Sequence, residues 1–149
     1  MTSTQTTPAV YNYLTTDKDD LAALVGTNIS KNKLEKRNLK GSGESAIVIR
    51  TSGGDIPRGN SLGNPRVNIF IYSDHTRVNG EVTEEDAEDR MWAIFHVVDA
   101  YMHWPDRERR LLDGLDFIGS LRGIAPQILD DKDVGLPYLW TAYDMNRIY

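Results

Sequence analysis

The clearest periodicity along the chain is a helical one. Met91, Ile94, Phe95, Val98 and Met102 follow an i, i+3, i+4, i+7, i+11 spacing, which puts them on one face of a helix predicted from Glu84 to Trp104. Thr83 with Asp86 three residues on is an acidic version of the capping box, and Pro105 is placed to end the element. Two segments alternate instead. Val67, Ile69 and Ile71 share one face of a strand over Arg66–Tyr72, and the β-branched run Ile47, Val48, Ile49 predicts a strand over Ser45–Thr51. Near the start, Val10, Tyr11 and Leu14 predict a short helix over Pro8–Thr15. Leu21, Leu24 and Val25 predict a second, capped by Asp17 or a neighbour and stopped at Gly26. Leu115 to Tyr149 reads as extended chain broken at Asp130–Gly135, with an aromatic strand (Tyr138, Trp140, Tyr143) that Pro137 suggests begins at a sheet edge.

The remaining stretches read as connections. Residues 30 to 44 are basic and then rich in Gly and Ser, the pattern of a mobile connector; Ser52 to Pro65 is a long Gly- and Pro-containing loop predicted to project. The expected fold is a single α+β domain over 1–149, with 1–7 a flexible tip. Its mixed or antiparallel sheet is covered on one face by the long helix and the short N-terminal helices.

At 149 residues and 40% hydrophobic, the chain suffices for one two-layer core. No run approaches the roughly 20 apolar residues of a membrane span, and Met1–Thr7 lacks the basic and apolar regions of an export signal. With no cysteine, disulfides and thiolate metal sites are excluded. A net charge of −5 argues against wrapping nucleic acid, although DNA can still pass close by. The charges are segregated: Lys31, Lys33, Lys36, Arg37 and Lys40 lie in one stretch, and Glu81, Glu84, Glu85, Asp86, Glu88 and Asp89 in another. They are either two solvated faces or complementary surfaces that meet between subunits.

Candidate catalytic motifs fail on context. Gly59-Asn60-Ser61-Leu62-Gly63 matches the G-x-S-x-G nucleophile elbow, which needs a strand before the serine and a helix after it; here prolines flank it and a strand follows. Gly41-Ser42-Gly43-Glu44-Ser45-Ala46 imitates a dinucleotide fingerprint but precedes a strand rather than opening a helix. The acidic run from Asp130 lacks the glutamate of a calcium loop and reads as a turn. His96 and His103 lie on the order of 10 Å apart along a helix axis, too far to share one ion unaided. That flank, with Trp92, His96 and Tyr101, is a candidate subunit contact. No catalytic, cofactor-binding or metal-ligating residue is expected.

Val10-Tyr11-Asn12-Tyr13-Leu14, then Asp17, then Leu21–Ile29 resembles the opening of the tail-terminator (tail-completion) proteins of long-tailed phages. The likeness continues through Ala46–Arg50, Gly53-Gly54, Pro65–Tyr72, the helix through Ala87, Met91 and Ile94, and the closing extended pair. It implies a cofactor-free virion protein of the tail or neck, assembled in the host cytoplasm. As a ring, hexameric in that family, it would cap the tail tube, stop tube polymerisation and meet the head-completion or neck connector protein. DNA would pass through the lumen without sequence-specific binding, and no membrane would be involved. Such a ring needs two different surfaces per subunit. Lys33, Lys36, Arg37, Glu84, Glu85, Glu88, Trp92 and His96 are the candidate subunit interface, and Gly53, Gly54, Ile56 and Leu62 the candidate tail-tube docking loop. The alternatives are a head-side neck or adaptor protein and, from another class, a small hydrolase using Ser61.

Overall fold

The computed structural model describes residues 6–35, 39–52, 62–63, 65–74, 76–78 and 81–148. Among these residues three helices, α1 (Thr6–Thr15), α2 (Asp19–Val25) and α3 (Glu84–Met102), lie among nine strands. The strands are β1 (Ile29–Lys31), β2 (Ser45–Ser52), β3 (Leu62–Gly63), β4 (Arg66–Ser73), β5 (Thr76–Val78), β6 (Glu81–Thr83), β7 (Trp104–Leu112), β8 (Leu115–Asp131) and β9 (Leu136–Ile148). The main sheet runs β1-β2-β4-β9-β8-β7, with β3 added beside β4 on the same edge of β9; β5 and β6 form a separate pair. β1 is parallel to β2 and the other pairings are antiparallel, so the fold is α+β with a mixed sheet.

Period-2 patterning explains the layers. In register, Ile47, Ile71 and Leu139 form one cross-strand row and Thr51, Val67 and Tyr143 another. These rows face the helices, meeting Val10 and Leu14 of α1, Leu21 and Val25 of α2, and Met91, Ile94, Val98 and Met102 of α3. Full burial of each such side chain contributes about 1.5–3 kcal/mol, so the stripe on α3 dominates its docking. The opposite face is partly covered too: Leu39, Ala46, Val48, Tyr72 and Leu136 form a second buried cluster, with Leu34 and Val134 packed on it.

Several expectations are corrected here. The connector after Ser30 is built into the fold: it begins in β1, buries Leu39, and is tied down by the Gly43 amide donating to Asp74 (2.8 Å) and by Arg90 donating to the Gly43 carbonyl. Asp17 does not cap α2. Lys18 occupies the N-cap without a side-chain bond, and the Asp20 carboxylate accepts from the Leu21 amide instead (2.9 Å). Leu24 of α2 is exposed. α3 ends at Met102 rather than Trp104, because the proline at 105 forces the preceding residue into extended backbone, and Trp104 opens β7. β9 is central rather than an edge strand. The missing N–H of Pro137 is harmless since pairing to β4 starts only at Tyr138.

The long hairpin curls the sheet. From Asp116↔Ile148 to Asp131↔Leu136, β8 advances 15 residues while β9 advances 12, so β8 carries three extra residues, one at each of three register shifts. Such bulges bend a strand and increase its twist. One of them contains Gly119 at φ 84, a conformation that side-chain-bearing residues rarely adopt.

Candidate assembly surfaces

α3 is locked onto the hairpin by one carboxylate. Asp99, in the last turn of α3, accepts the Tyr143 hydroxyl of β9 at 2.8 Å on one oxygen and Arg122 Nη1 of β8 at 3.0 Å on the other. His103 Nδ1, one turn later, accepts the Arg122 backbone amide at 3.2 Å, and the Arg122 guanidinium lies over the Phe95 ring. Burial, then the bond to the Asp99 carboxylate, raises the Tyr143 pKa, since the phenolate would be desolvated beside a negative charge. Asp99 and His103 therefore work as a latch, while His96 takes no part in it. No group of three or more His, Cys, Asp or Glu side chains among the described residues is arranged to hold a metal ion.

Tyr101, expected as an interface anchor, is spent internally. Its hydroxyl donates to Asp20 of α2 and its ring meets Tyr13 of α1 edge-on at 6.5 Å between centroids, with Lys18 over both rings. The bond to Asp20 pushes the Tyr101 pKa up to about 12 and lowers that of Asp20. Trp92 and His96 remain on the surface flank. The Trp92 ring is half-buried edge-on against Phe95 (5.7 Å), and exposed His96 tilts against it (6.4 Å). Glu88, Trp92 and His96 are spaced by four and so form one stripe along α3.

Glu88 also borders a cleft of about 560 Å³ between α3 and the hairpin end, opposite Ile128, Asp130 and Asp131. Asp131 is structural: one oxygen takes the Asp133 and Val134 amides, and the other the Tyr72 hydroxyl at 2.9 Å. The run expected to turn at Asp130–Gly135 does so only over 132–135, because Asp130 and Asp131 still pair with β9 as the end of β8. Lys33 is exposed just past the end of β1. The side chains of Glu84 and Glu85 fall outside the described set, as do Lys36 and Arg37. Of the expected docking loop, Gly53, Gly54 and Ile56 lie outside the described residues, while Leu62 pairs through its backbone with Ile148. Ser61 is also outside them, but Leu62–Gly63 after it is a strand rather than the helix an elbow requires.

Two features were not singled out in the sequence. Phe70, Tyr72 and Tyr138 cluster on the face away from the helices, with Trp140 donating to Asn68 (3.1 Å) and Arg50 over the Phe70 ring; the i, i+2 spacing of these aromatics was the available signal. On the same face Arg66 of β4 makes a two-pronged bond to Asp144 of β9 (2.7 and 3.1 Å), with the Asp144 carboxylate lying directly over Gly123 of β8. No sequence signal joins these three residues.

The molecule is thus an α+β protein whose helices cover one face of a curled mixed sheet, with exposed side chains along a helix flank and on the other sheet face. A chain in the virion of a native gene transfer agent (GTA) particle shares this fold. The two align with a TM-score of 0.58 at 14% sequence identity, over 97% of this chain and 95% of that one. No protein-family model and no curated protein matches the sequence.

Proposed function

We propose that this protein is a non-enzymatic structural component of a phage-like virion. It acts over residues 1–149 as one unit and assembles in the host cytoplasm as a ring, of six copies, on the end of the tail tube. There it stops tube polymerisation and presents the surface that receives the head-completion or neck connector protein. The observation that carries this reading is the end-to-end fold likeness to a chain of the GTA virion, which agrees with the tail-terminator resemblance of the sequence. Ring closure needs two unlike, complementary surfaces on each subunit. The basic patch with Lys33, Lys36 and Arg37 and the acidic one with Glu84, Glu85 and Glu88 supply such a pair, with Trp92 and His96 beside the second. Gly53, Gly54, Ile56 and Leu62 form the surface that meets the tube protein. The net charge of −5 suits a channel wall past which DNA slides without sticking.

Electron microscopy of particles made without the protein tests the role. Tubes of uncontrolled length are expected; tubes of normal, uniform length would overturn it. Binding of purified protein to isolated tail tubes, and not to portal, separates this reading from that of a head-side adaptor.

A further inference from the structure

The main sheet ends in two unlike edges on opposite flanks. At one end, among the described residues, β1 pairs with β2 alone. At the other, β7 covers β8 only as far as Ser120, so among the described residues Leu121–Asp131 pairs with β9 alone. An uncovered strand edge is a row of unpaired amides and carbonyls, a template for another strand.

The two edges can be matched in detail. On β8 the Arg122 amide is taken by His103, and Pro126, which has no N–H, sits inside a bulge; the regular open stretch is therefore Gln127–Asp131. Its residues Gln127, Leu129 (38% exposed) and Asp130 are on the surface, beside the cleft that Glu88 borders. On β1, the Asn28 carbonyl and the Asn32 amide both point at β2 (2.9 and 2.8 Å), so by alternation those of Ile29 and Lys31 point outward. Two of these outward groups are satisfied locally, the Ile29 amide by Thr27 and the Lys31 carbonyl by Lys33. The Ile29 carbonyl and the Lys31 amide are left to face a partner.

Direction follows from the topology. Three antiparallel pairings separate β2 from β8, and β1 runs with β2, so β8 runs opposite to β1. Rotation about an axis along the strands preserves that relation, so the β8 edge of one copy meets the β1 edge of the next antiparallel. Charge agrees: exposed Lys31 and Lys33 stand at one edge, exposed Asp130 and Glu88 at the other. Each patch also holds one opposite charge, Glu35 and Lys132, so the complementarity is a net one.

We infer that the open edge of β8 at Gln127–Asp131 docks the β1 edge of a second copy of this chain, continuing the sheet from subunit to subunit with Lys33 against Asp130. The inference rests on the ring reading and specifies its interface. Because β1 offers only two free backbone groups, each junction is short and weak alone. The ring then closes on its tail-tube template rather than in dilute solution.

The absence of native cysteine makes the test clean. A chain carrying Lys33→Cys together with Asp130→Cys, oxidised in assembled particles, should give a ladder of disulfide-linked oligomers, and neither single variant should. Dimers from Asp130→Cys alone would mean that the β8 edge pairs with itself and would overturn the inference. So would an absence of cross-links in particles whose tails have normal length, an outcome that leaves the ring itself standing. Independently, Lys33→Asp and Asp130→Lys should each reduce the fraction of ring-bearing tails, and the two together should restore it. Losses that merely add would count against the pairing. Uniform tails from particles lacking the protein would instead overturn the ring.

Discussion

The carboxylate of Asp99 on α3 accepts the hydroxyl of the fully buried Tyr143 on β9 at 2.8 Å, joining the longest helix to the central strand of the sheet. A second Asp99 oxygen holds Arg122 of β8, so one side chain fixes the helix against both strands of the hairpin. Tyr143→Phe should cost about 1–3 kcal/mol, the range for a hydrogen bond to a charged group. Asp99→Ala should cost at least as much, because it also frees Arg122, and the double variant should cost less than the sum because both single variants remove the Tyr143–Asp99 bond. Urea unfolding of the four proteins measures the cycle; strict additivity would show that the bond contributes nothing.

The same bond predicts sensitivity to base. The pKa values of Tyr143 and Tyr72 are raised above the ordinary 10.0, mainly by burial and then by bonds to Asp99 and Asp131. A raised pKa in the folded state gives stability that is fully present below the ordinary value and lost as pH climbs through the raised one. Stability should therefore fall as pH rises above 10.0, and Tyr143→Phe should flatten that fall. Denaturation midpoints on either side of that pH, with phenolate absorbance followed in parallel, give the readout.

Gly123 is required by its neighbour across the strand rather than by backbone conformation. A Cβ there would come within 2.0 Å of an Asp144 carboxylate oxygen, so Gly123→Ala must displace Asp144 and open its ion pair with Arg66. Both partners are partly exposed (41% and 46%), so the pair itself is worth about 0–1 kcal/mol. If displacement of Asp144 is the whole effect, Asp144→Ala should produce a similar loss, and Gly123→Ala should add nothing further in that background.

Assembly should separate from folding. Reversing Lys33, Lys36 and Arg37 to glutamate should weaken attachment of the protein to tails, most visibly at low salt, because exposed complementary charges set register more than stability. The thermal midpoint should stay nearly unchanged, each exposed pair being worth about 0–1 kcal/mol. Tail binding by the triple variant that equals wild type at low salt would remove this patch from the interface.

The local periodicities were legible in the sequence. The stripe from Met91 to Met102, the alternation in β2 and β4 and the break after Asp130 each depend on residues a few positions apart; the helix and the two strands formed where their patterns lay, and the turn formed two residues later than its composition suggested, over 132–135. What pairs with what was not legible. β7, a polar run of WPDRERRLL, has no alternation to announce it and is a strand because β8 lies alongside; β1 is three residues long and exists by pairing with β2. The central place of β9 and the three bulges of β8 likewise belong to long-range register, which a one-dimensional pattern does not encode. For the surfaces the division is the same. The sequence alone showed two charged stretches, one of them holding Glu88, and placed Trp92 and His96 on one helix flank. Only the tertiary structure turned Tyr101 and Asp99 inward, set Asp130 across a cleft from Glu88 and, among the described residues, left one edge of the end of β8 without a strand, because packing and strand pairing decide which side chains and edges remain for a partner.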